Sequence, residues 1–237
     1  MELILTSAAK VAEYPGRKNA FSLPAGNSCP FATPTCAKGC YAKKGRFRFT
    51  PITRAYANNY AALLSARTAE KMAELLYRAI YRRKFKNFRI HASGDFFSAE
   101  YARAWKIVCE KMPDRRFWTY THSQDVEVLE VLATIENLTL SLSCDQDNWQ
   151  EMLRLAKQFP SFKLCYYTLG EPIAKELYDH DPGLVVFVDH SVRGKLLFRG
   201  NCPAEMGSKG GIPHEGACVR CMRCISPHIP IENKSAA

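Results

Sequence analysis

The chain has 237 residues, 47% of them hydrophobic, and no stretch approaches the roughly 18 consecutive apolar residues of a membrane helix. The apolar run in the first ten residues is too short for a secretory signal, so we expect a cytoplasmic protein with no membrane partner. The 33 Lys and Arg residues outnumber the 23 Asp and Glu residues, which favours an anionic partner and keeps nucleic acid among the candidates.

The first predicted strand, residues 19–24, is short and leads into a loop with three cysteines. Cys29, Cys36 and Cys40 lie in a segment broken by Gly and Pro, where three thiols can bind a metal centre and leave one position vacant. In a reducing compartment, clustered cysteines are metal ligands more often than disulfides. We therefore expect an open [4Fe-4S] cluster here. The alternative is a zinc site or a closed cluster, with His91 or His122 as a fourth ligand.

A long helix is predicted to begin at Thr50-Pro51, since Pro is favoured in a first turn, and to run to about residue 83 with a break near Thr68. Strands and helices then alternate at a spacing that predicts a parallel sheet with right-handed crossovers. The predicted strands are residues 88–93, 116–122, 138–144, 162–168 and 184–189, and the helices are residues 98–111, 125–134, 149–158 and 172–178. Ser98, Asp125 and Asn148 are the expected helix caps.

Polar side chains alternate with apolar ones along several of these strands. Thr139, Ser141 and Ser143 lie between leucines, whereas strands buried on both faces are usually apolar throughout. A polar inner face favours an incomplete (βα)6 parallel barrel around a polar ligand, with an open, partly solvated sheet as the alternative. His91 and His122, expected at strand ends on this face, are the candidate catalytic residues for proton transfer.

The chain changes character after residue 190. Residues 191–237 are rich in Gly, Pro and Cys and contain no convincing helix, so we expect a barrel of residues 1–190 followed by an irregular metal-binding extension, residues 191–237. Cys218, Cys221 and Cys224 have the two-residue spacers of ferredoxin loops, and Cys202 precedes a proline as a remote fourth ligand does. We expect a second [4Fe-4S] cluster at these four cysteines, with zinc as the alternative.

This order of motifs resembles the radical S-adenosylmethionine superfamily. The likeness rests on the three-cysteine loop after the first strand and on Ser93-Gly94-Asp95 after the second. It implies that the open iron chelates the methionine amino and carboxylate groups of S-adenosylmethionine, and that Ser93, Gly94 and Asp95 receive the amino group. It also implies contacts to the ribose, carboxylate or adenine, made by Ser141, Ser143 and Asp145.

Over nearly its whole length the chain also resembles the gene-product-88-like proteins of phages and plasmids. The residues that carry this likeness are the segments around Cys29 and around Cys36 to Ala42, the segment Arg89 to Phe97, and the tail cysteines. The spacing of six and three residues between Cys29, Cys36 and Cys40 departs from the usual pattern of the radical S-adenosylmethionine superfamily.

The first hypothesis is therefore a radical S-adenosylmethionine-type enzyme with two [4Fe-4S] clusters. By the resemblance, it would use an external electron donor to generate a 5′-deoxyadenosyl radical, which acts on an unknown substrate in the barrel. The alternative is a non-catalytic iron–sulfur or zinc protein with a structural, redox-sensing or nucleic-acid-binding role. Two basic runs interleaved with aromatic residues, residues 43–48 and 82–89, favour the alternative.

Overall fold

One parallel six-stranded sheet forms the centre of the computed structural model, which describes residues 2–6, 18–189, 191–192, 198–203 and 216–227. The strands pair in the order in which they follow one another along the chain, and every adjacent pair is parallel. The strands are β1 (Ala20–Ser22), β2 (Asn87–Ser93), β3 (Arg116–Thr121), β4 (Leu138–Cys144), β5 (Lys163–Thr168) and β6 (Val185–Val188).

The helices of the described residues follow the predicted strand–helix alternation. They are α1 (Pro34–Gly39), α2 (Thr50–Ala66), α3 (Ala69–Ile80), α4 (Ala99–Glu110), α5 (Val126–Ala133), α6 (Trp149–Gln158), α7 (Lys175–His180) and α8 (Ala217–Cys221). The short 3-10 helices Tyr41–Lys43 and Gly45–Arg48 precede α2. No described helix has both the length and the apolar character needed to cross a membrane.

Local sequence signals start several of these helices. The break near Thr68 is where α2 gives way to α3, and the Thr68 side chain accepts a hydrogen bond from the Lys71 amide. Ser98 and Asp125 cap α4 and α5 in the same way, as expected. Asn148 precedes α6 as expected, but its side chain caps no amide of that helix, because its Oδ1 accepts from the Asp145 amide at 2.8 Å. Boundaries that were predicted from caps therefore agree with the structure to within a few residues.

The helices between the strands cover one face of the sheet. Leu63, Trp105 and Leu155, from α2, α4 and α6, belong to one apolar core together with Ile90 and Leu140 from the strands. Right-handed crossovers between strands in sequential order place all connections on the same side. The opposite face, which carries Arg89, Tyr120, Thr139 and Lys163, is left for the cysteine-bearing segments, and we call it the cysteine face.

The sheet is not closed. Within the described residues β1 pairs with β2 and β6 with β5, and no pairing joins β1 to β6. A doubly wound sheet would reverse its strand order midway, which this sheet does not do. The expected α/β class and parallel six-stranded order are confirmed. The cysteine face is buried rather than partly solvated at Thr139, Ser141 and Ser143.

Strand β2 contains an irregularity that changes the expected orientation of His91. Ala20 pairs with Arg89 and Ser22 with Ser93, so a two-residue step on β1 faces a four-residue step on β2. His91 has φ +62°, a left-handed conformation that non-glycine residues rarely adopt. The expectation that His91 points into the barrel with Arg89 is therefore wrong, because the bulge turns its ring to the helix side.

A segment of the tail packs against the cysteine face. Ile225 is 1% exposed and forms a small apolar cluster with Ala20, Ala92 and Trp118. Thr139 Oγ1 donates to the Ile225 carbonyl at 2.8 Å. The expectation that the tail has no helix is wrong for α8. Of the predicted extension, residues 193–197, 204–215 and 228–237 lie outside the described residues.

Candidate functional site

The loop that carries Cys29, Cys36 and Cys40 is fixed to the carboxyl ends of β2 and β4. Leu23 at its start exchanges hydrogen bonds with Ser93: the Leu23 amide donates to the Ser93 carbonyl, and Ser93 Oγ donates to the Leu23 carbonyl, each at 2.8 Å. Farther along, the Asp95 amide donates to the Ser28 carbonyl at 3.2 Å. The loop thus continues from β1 across the carboxyl ends of the neighbouring strands.

Thr33 attaches the same loop to β4. Its hydroxyl donates a short hydrogen bond to Asp145 and accepts one from the Cys36 amide at 2.9 Å, which caps α1. Next to it, the Thr35 amide donates to Asp147 Oδ2 at 2.8 Å. The sequence analysis did not single out Thr33, although Thr followed by Pro is a common helix start.

The three thiols of the loop lie close enough to influence one another. All three side chains are half-buried. Burial and the nearby Asp95 raise the pKa of Cys29 to about 12, and Cys36 and Cys40 add to the rise. Burial, reinforced by Cys36, likewise raises the pKa of Cys40. The raised pKa values keep the thiols of Cys29 and Cys40 protonated, and a metal ion would have to displace those two protons.

Gly94 fits tightly under this loop. Its φ is +86°, and a Cβ there would lie 2.5 Å from Leu23 Cβ and 2.6 Å from Ser28 Oγ. The glycine therefore permits close packing of the chain on itself. Sequence reasoning assigned the same residue to close approach of a ligand.

Asp95 is buried beside the loop with its carboxylate fully engaged. It accepts hydrogen bonds from Thr121 Oγ1 at 2.7 Å, the His122 amide at 2.8 Å and the Phe96 amide at 2.7 Å. Burial raises the pKa of Asp95 in spite of these donors. The Ser93, Gly94 and Asp95 turn thus positions the cysteine loop and the start of the segment after β3.

His122 and Asp145 lie next to Cys36. His122 Nε2 is 3.7 Å from Asp145 Oδ2, a distance for an ion pair rather than a hydrogen bond. Burial opposes protonation, but Asp145 and Cys36 raise the pKa of His122 to about 10. Burial likewise opposes ionisation of Asp145, but His122 and Thr33 hold its pKa below the usual value. The pair places a cation and an anion beside one thiol.

His91, the other candidate catalytic residue, lies apart from the thiols. Its Nε2 is 2.9 Å from the Tyr101 hydroxyl of α4, and its ring packs edge-on against Phe96. Burial, with a contribution from Arg89, lowers the pKa of His91 to about 3, so the ring is neutral. Its contacts connect β2 to α4.

Ser141 and Ser143 lie on the cysteine face of β4, and both are buried. The Ser143 carbonyl accepts from Asn148 Nδ2 at 3.1 Å, and the Cys165 thiol of the neighbouring strand donates to the Leu142 carbonyl at 3.6 Å. Tyr167 on β5 packs against Gly39 of α1. A Cβ at position 39 would clash with the Tyr167 phenol. Its hydroxyl donates to Asp189 Oδ2 at 2.7 Å.

The tail thiols lie against the cysteine face, farther from the carboxyl ends of the strands than the loop thiols do. Burial chiefly raises the pKa of Cys224 and Cys221 adds to the rise, while Tyr120 and Lys163 oppose it. Cys218 packs against the Ile225 cluster. Cys202 lies beside β6, where its amide donates to the Val186 carbonyl at 2.8 Å.

Arg89 lies between the two cysteine regions and was not among the predicted site residues. Its guanidinium carbon is 5.1 Å from the Trp118 ring centre and 5.2 Å from that of Tyr120, and one nitrogen donates to the Tyr41 hydroxyl at 3.2 Å. Burial would lower the pKa of Arg89, but Tyr41, Tyr120, Cys218 and Cys224 raise it. A charged residue inside the apolar run of β2 was the available signal.

No group of three or more His, Cys, Asp or Glu side chains is arranged to hold a metal ion within the ranges that the structure describes. The metal-binding character of the tail is therefore not shown. The fold places the three loop thiols close enough to interact electrostatically with one another. In the tail, Cys224 interacts with Cys221, and Cys218 and Cys224 interact with Arg89.

Comparison with known proteins identifies relatives over most of the chain. The family model described as Gene product 88 matches residues 4–227. A Gene 88 protein of Mycobacterium phage L5 is 37% identical over 225 residues, which is 89% of this chain and 84% of the relative. A Gene 88 protein of Mycobacterium phage D29 is 36% identical over 142 residues, 56% of this chain and 59% of the relative. No solved structure matches the chain.

Proposed function

The chain belongs to the Gene product 88 family, and we propose that it is an iron–sulfur enzyme of the radical S-adenosylmethionine type. The expected likeness to gene-product-88 proteins is confirmed by the comparisons, whereas the superfamily placement and the clusters are part of the proposal. The observation that carries it is the set of three interacting thiols, supplied by one loop over the carboxyl ends of a parallel sheet. Ligands of open α/β sheets bind at those ends.

The donor set suits a [4Fe-4S] cluster better than a closed structural site. Three thiols from Cys29, Cys36 and Cys40 can cap three irons and leave one for a cosubstrate. Hydrogen bonds from Thr33 and Ser93 hold the loop to two strands, which gives the thiols a fixed place over the sheet. When bound, the reduced cluster would supply one electron that breaks the C5′–S bond of S-adenosylmethionine, giving methionine and a 5′-deoxyadenosyl radical.

The residues around the thiols have separate roles in this proposal. Asp145 and His122 offer an anion and a cation at Cys36, where they could orient the ammonium and carboxylate of the cosubstrate. Asp95 already accepts three hydrogen bonds, so its main role would be to hold the segment after β3 in place. Ser141 and Ser143 would form the polar floor below the cosubstrate.

The tail cysteines would hold an auxiliary [4Fe-4S] cluster that binds substrate or passes electrons. Cys218 and Cys224 interact with Arg89, whose guanidinium also contacts Tyr41 directly after Cys40. A half-buried cation between two thiolate-rich regions would offset the negative charge that each cluster adds. Arg89 is therefore the residue through which the two centres would influence each other.

A zinc site is the second candidate, and one contact favours it. His122 lies against Cys36, so Cys29, Cys36, Cys40 and His122 could provide the three thiolates and one imidazole of a structural zinc centre. In that case the protein would be non-catalytic.

The test is anaerobic reconstitution with iron and sulfide, followed by incubation with dithionite and S-adenosylmethionine. The proposal expects 5′-deoxyadenosine, and a change in the EPR spectrum when the cosubstrate is added. Intact S-adenosylmethionine with an unchanged spectrum, or stoichiometric zinc in protein purified without air, would overturn it. Cys109→Ala is the matched control, because this thiol is buried in the helical core away from both regions.

A further inference from the structure

Positive charge is concentrated in a part of the chain that contains no carboxylate at all. From Tyr14 to Ala69 the sequence has no Asp or Glu and nine Lys or Arg residues, in a chain with a net charge of +10. Because no acidic side chain lies within this stretch, nearly the whole excess charge of the protein is carried by about a quarter of its length.

The fold exposes the centre of this stretch as one surface, residues 41–54, which we call the 41–54 surface. The Phe47 side chain packs inside this surface. Its ring centre lies 5.5 Å from that of Tyr41 and 6.4 Å from that of Tyr56 of α2. The arginines Arg46, Arg48 and Arg54 are exposed. No carboxylate pairs with these three arginines among the residues that the structure describes, whereas Lys44 pairs with Asp189 at 3.6 Å.

Exposed aromatic rings lie among these cations. Phe49 is 60% exposed and Tyr41 48%, the two most exposed aromatic side chains of the described residues. Beside them a depression of about 310 Å³ is lined by Thr50, Pro51 and Arg54. Phe49 follows Arg48 directly, so an exposed ring lies beside an exposed cation.

We propose that the 41–54 surface binds single-stranded nucleic acid. Unpaired arginines bind phosphates, and exposed rings stack on bases that a duplex would keep stacked on each other. An acidic protein would match the charge but would not account for the rings. An anionic membrane would need a broader apolar face than Phe49 and Tyr41 provide.

The position of this surface separates it from the second basic run. Residues 41–54 follow Cys40 directly and lie at the carboxyl ends of the strands, whereas Arg82 and Arg83 precede β2 and therefore lie at the opposite edge of the sheet. Arg82 and Arg83 are also exposed. They provide a control that removes the same charge from a different surface.

The experiment is fluorescence anisotropy of the full chain with labelled 20-nucleotide single strands of DNA and of RNA, across a range of salt concentrations. Replacing both Arg46 and Arg48 by Ala should weaken binding at least tenfold and reduce the salt slope by about 1.4, since each single-strand phosphate contact contributes about 0.7. Phe49→Ala should weaken binding about fivefold or more with an unchanged salt slope, because stacking releases no counterions. The Arg82→Ala, Arg83→Ala pair should change affinity less than twofold.

Equal losses in the two double variants would overturn the proposal, because they would mean attraction by net charge alone. So would tighter binding to anionic lipid vesicles than to either oligonucleotide, or no oligonucleotide binding at low salt. Leu64→Ala, which removes another exposed apolar side chain from α2, controls for non-specific effects of Phe49→Ala. Circular dichroism of each variant confirms that it is folded.

Discussion

The two cysteine-rich regions are attached to the sheet by different kinds of contact. The loop with Cys29, Cys36 and Cys40 is held at two strand ends, where Thr33 Oγ1 donates to Asp145 after β4 and Ser93 Oγ of β2 donates to the Leu23 carbonyl. The tail segment with Cys218, Cys221 and Cys224 lies on the cysteine face. It is held there by the burial of Ile225 and by hydrogen bonds from Thr139 and Lys163 to the Ile225 and Arg223 carbonyls. The loop therefore lies over the ends of two strands, whereas the tail segment packs on the face of the sheet.

The sharpest way to test this comparison is to remove one thiol from each region. If two clusters form independently, Cys36→Ala should lose about half of the iron and all formation of 5′-deoxyadenosine, while Cys221→Ala should lose the other half. Iron and sulfide content with EPR of the reduced proteins measures this. Loss of all iron in both variants would mean that the regions share one centre or fold only together.

A large effect on stability is expected where the loop packs on β2. Gly94→Ala introduces a Cβ 2.5 Å from Leu23 Cβ at a φ of +86°. Overpacking and left-handed strain together should lower the free energy of unfolding by about 3 kcal/mol or more. Urea denaturation measures it.

Gly45→Ala is the control for this substitution. Gly45 also has a positive φ, of +54°, but no atom lies within 4 Å of its added Cβ. Gly45→Ala should therefore lower the free energy of unfolding only through backbone strain, by about 1–2 kcal/mol. Equal losses at both glycines would refute the packing role of Gly94.

Removing the main apolar contact of the tail should have a smaller effect. Ile225→Ala leaves a cavity against Ala92 and Trp118, and we expect a loss of about 2–3 kcal/mol if the tail unfolds together with the sheet. Val126→Ala, at an exposed position, should cost little. Unchanged global stability with faster amide exchange confined to α8 would instead support a separate unit after residue 190.

The smallest expected effect is a pH dependence of the free energy of unfolding, caused by His91 on β2. Because burial lowers the pKa of His91 to about 3, the unfolded chain binds a proton there below about pH 6.5 that the folded chain does not. His91 therefore contributes stability that is present at pH 7 and falls by about 2 kcal/mol by pH 5.

His91→Gln should remove this component of the pH dependence, and urea denaturation at the two pH values measures the difference. Gln keeps a polar group that can reach the Tyr101 hydroxyl, so loss of the hydrogen bond is not the dominant change. An unaltered pH dependence in His91→Gln would contradict a buried neutral imidazole.

Much of the fold followed from local patterns. Strand β4 and helix α6 have the predicted bounds, and Ser98 and Asp125 are caps as expected. These features depend on periodicity and on side-chain to backbone hydrogen bonds within a few residues, which a single sequence records. The placement of Cys36 near His122 was also consistent with strand order, because carboxyl ends of parallel strands share one edge.

Other features depended on contacts between distant residues. The left-handed turn at His91 moves a predicted catalytic residue to the helix side, and alternation along β2 gives no warning of it. The packing of Ile225 on Trp118 and the interaction of Arg89 with the tail thiols both bring together residues more than a hundred positions apart.

The sequence by itself determined the parallel α/β class, the strand order, the family and the position of the three-thiol loop after the first strand. Only the tertiary structure decided which side of the sheet each side chain faces. It also decided that Ser93, Gly94 and Asp95 hold the loop in place, and that the tail segment around Ile225 packs on the cysteine face. The reason is physical: short-range hydrogen bonds and periodicity set the elements, whereas burial between distant segments sets their orientation.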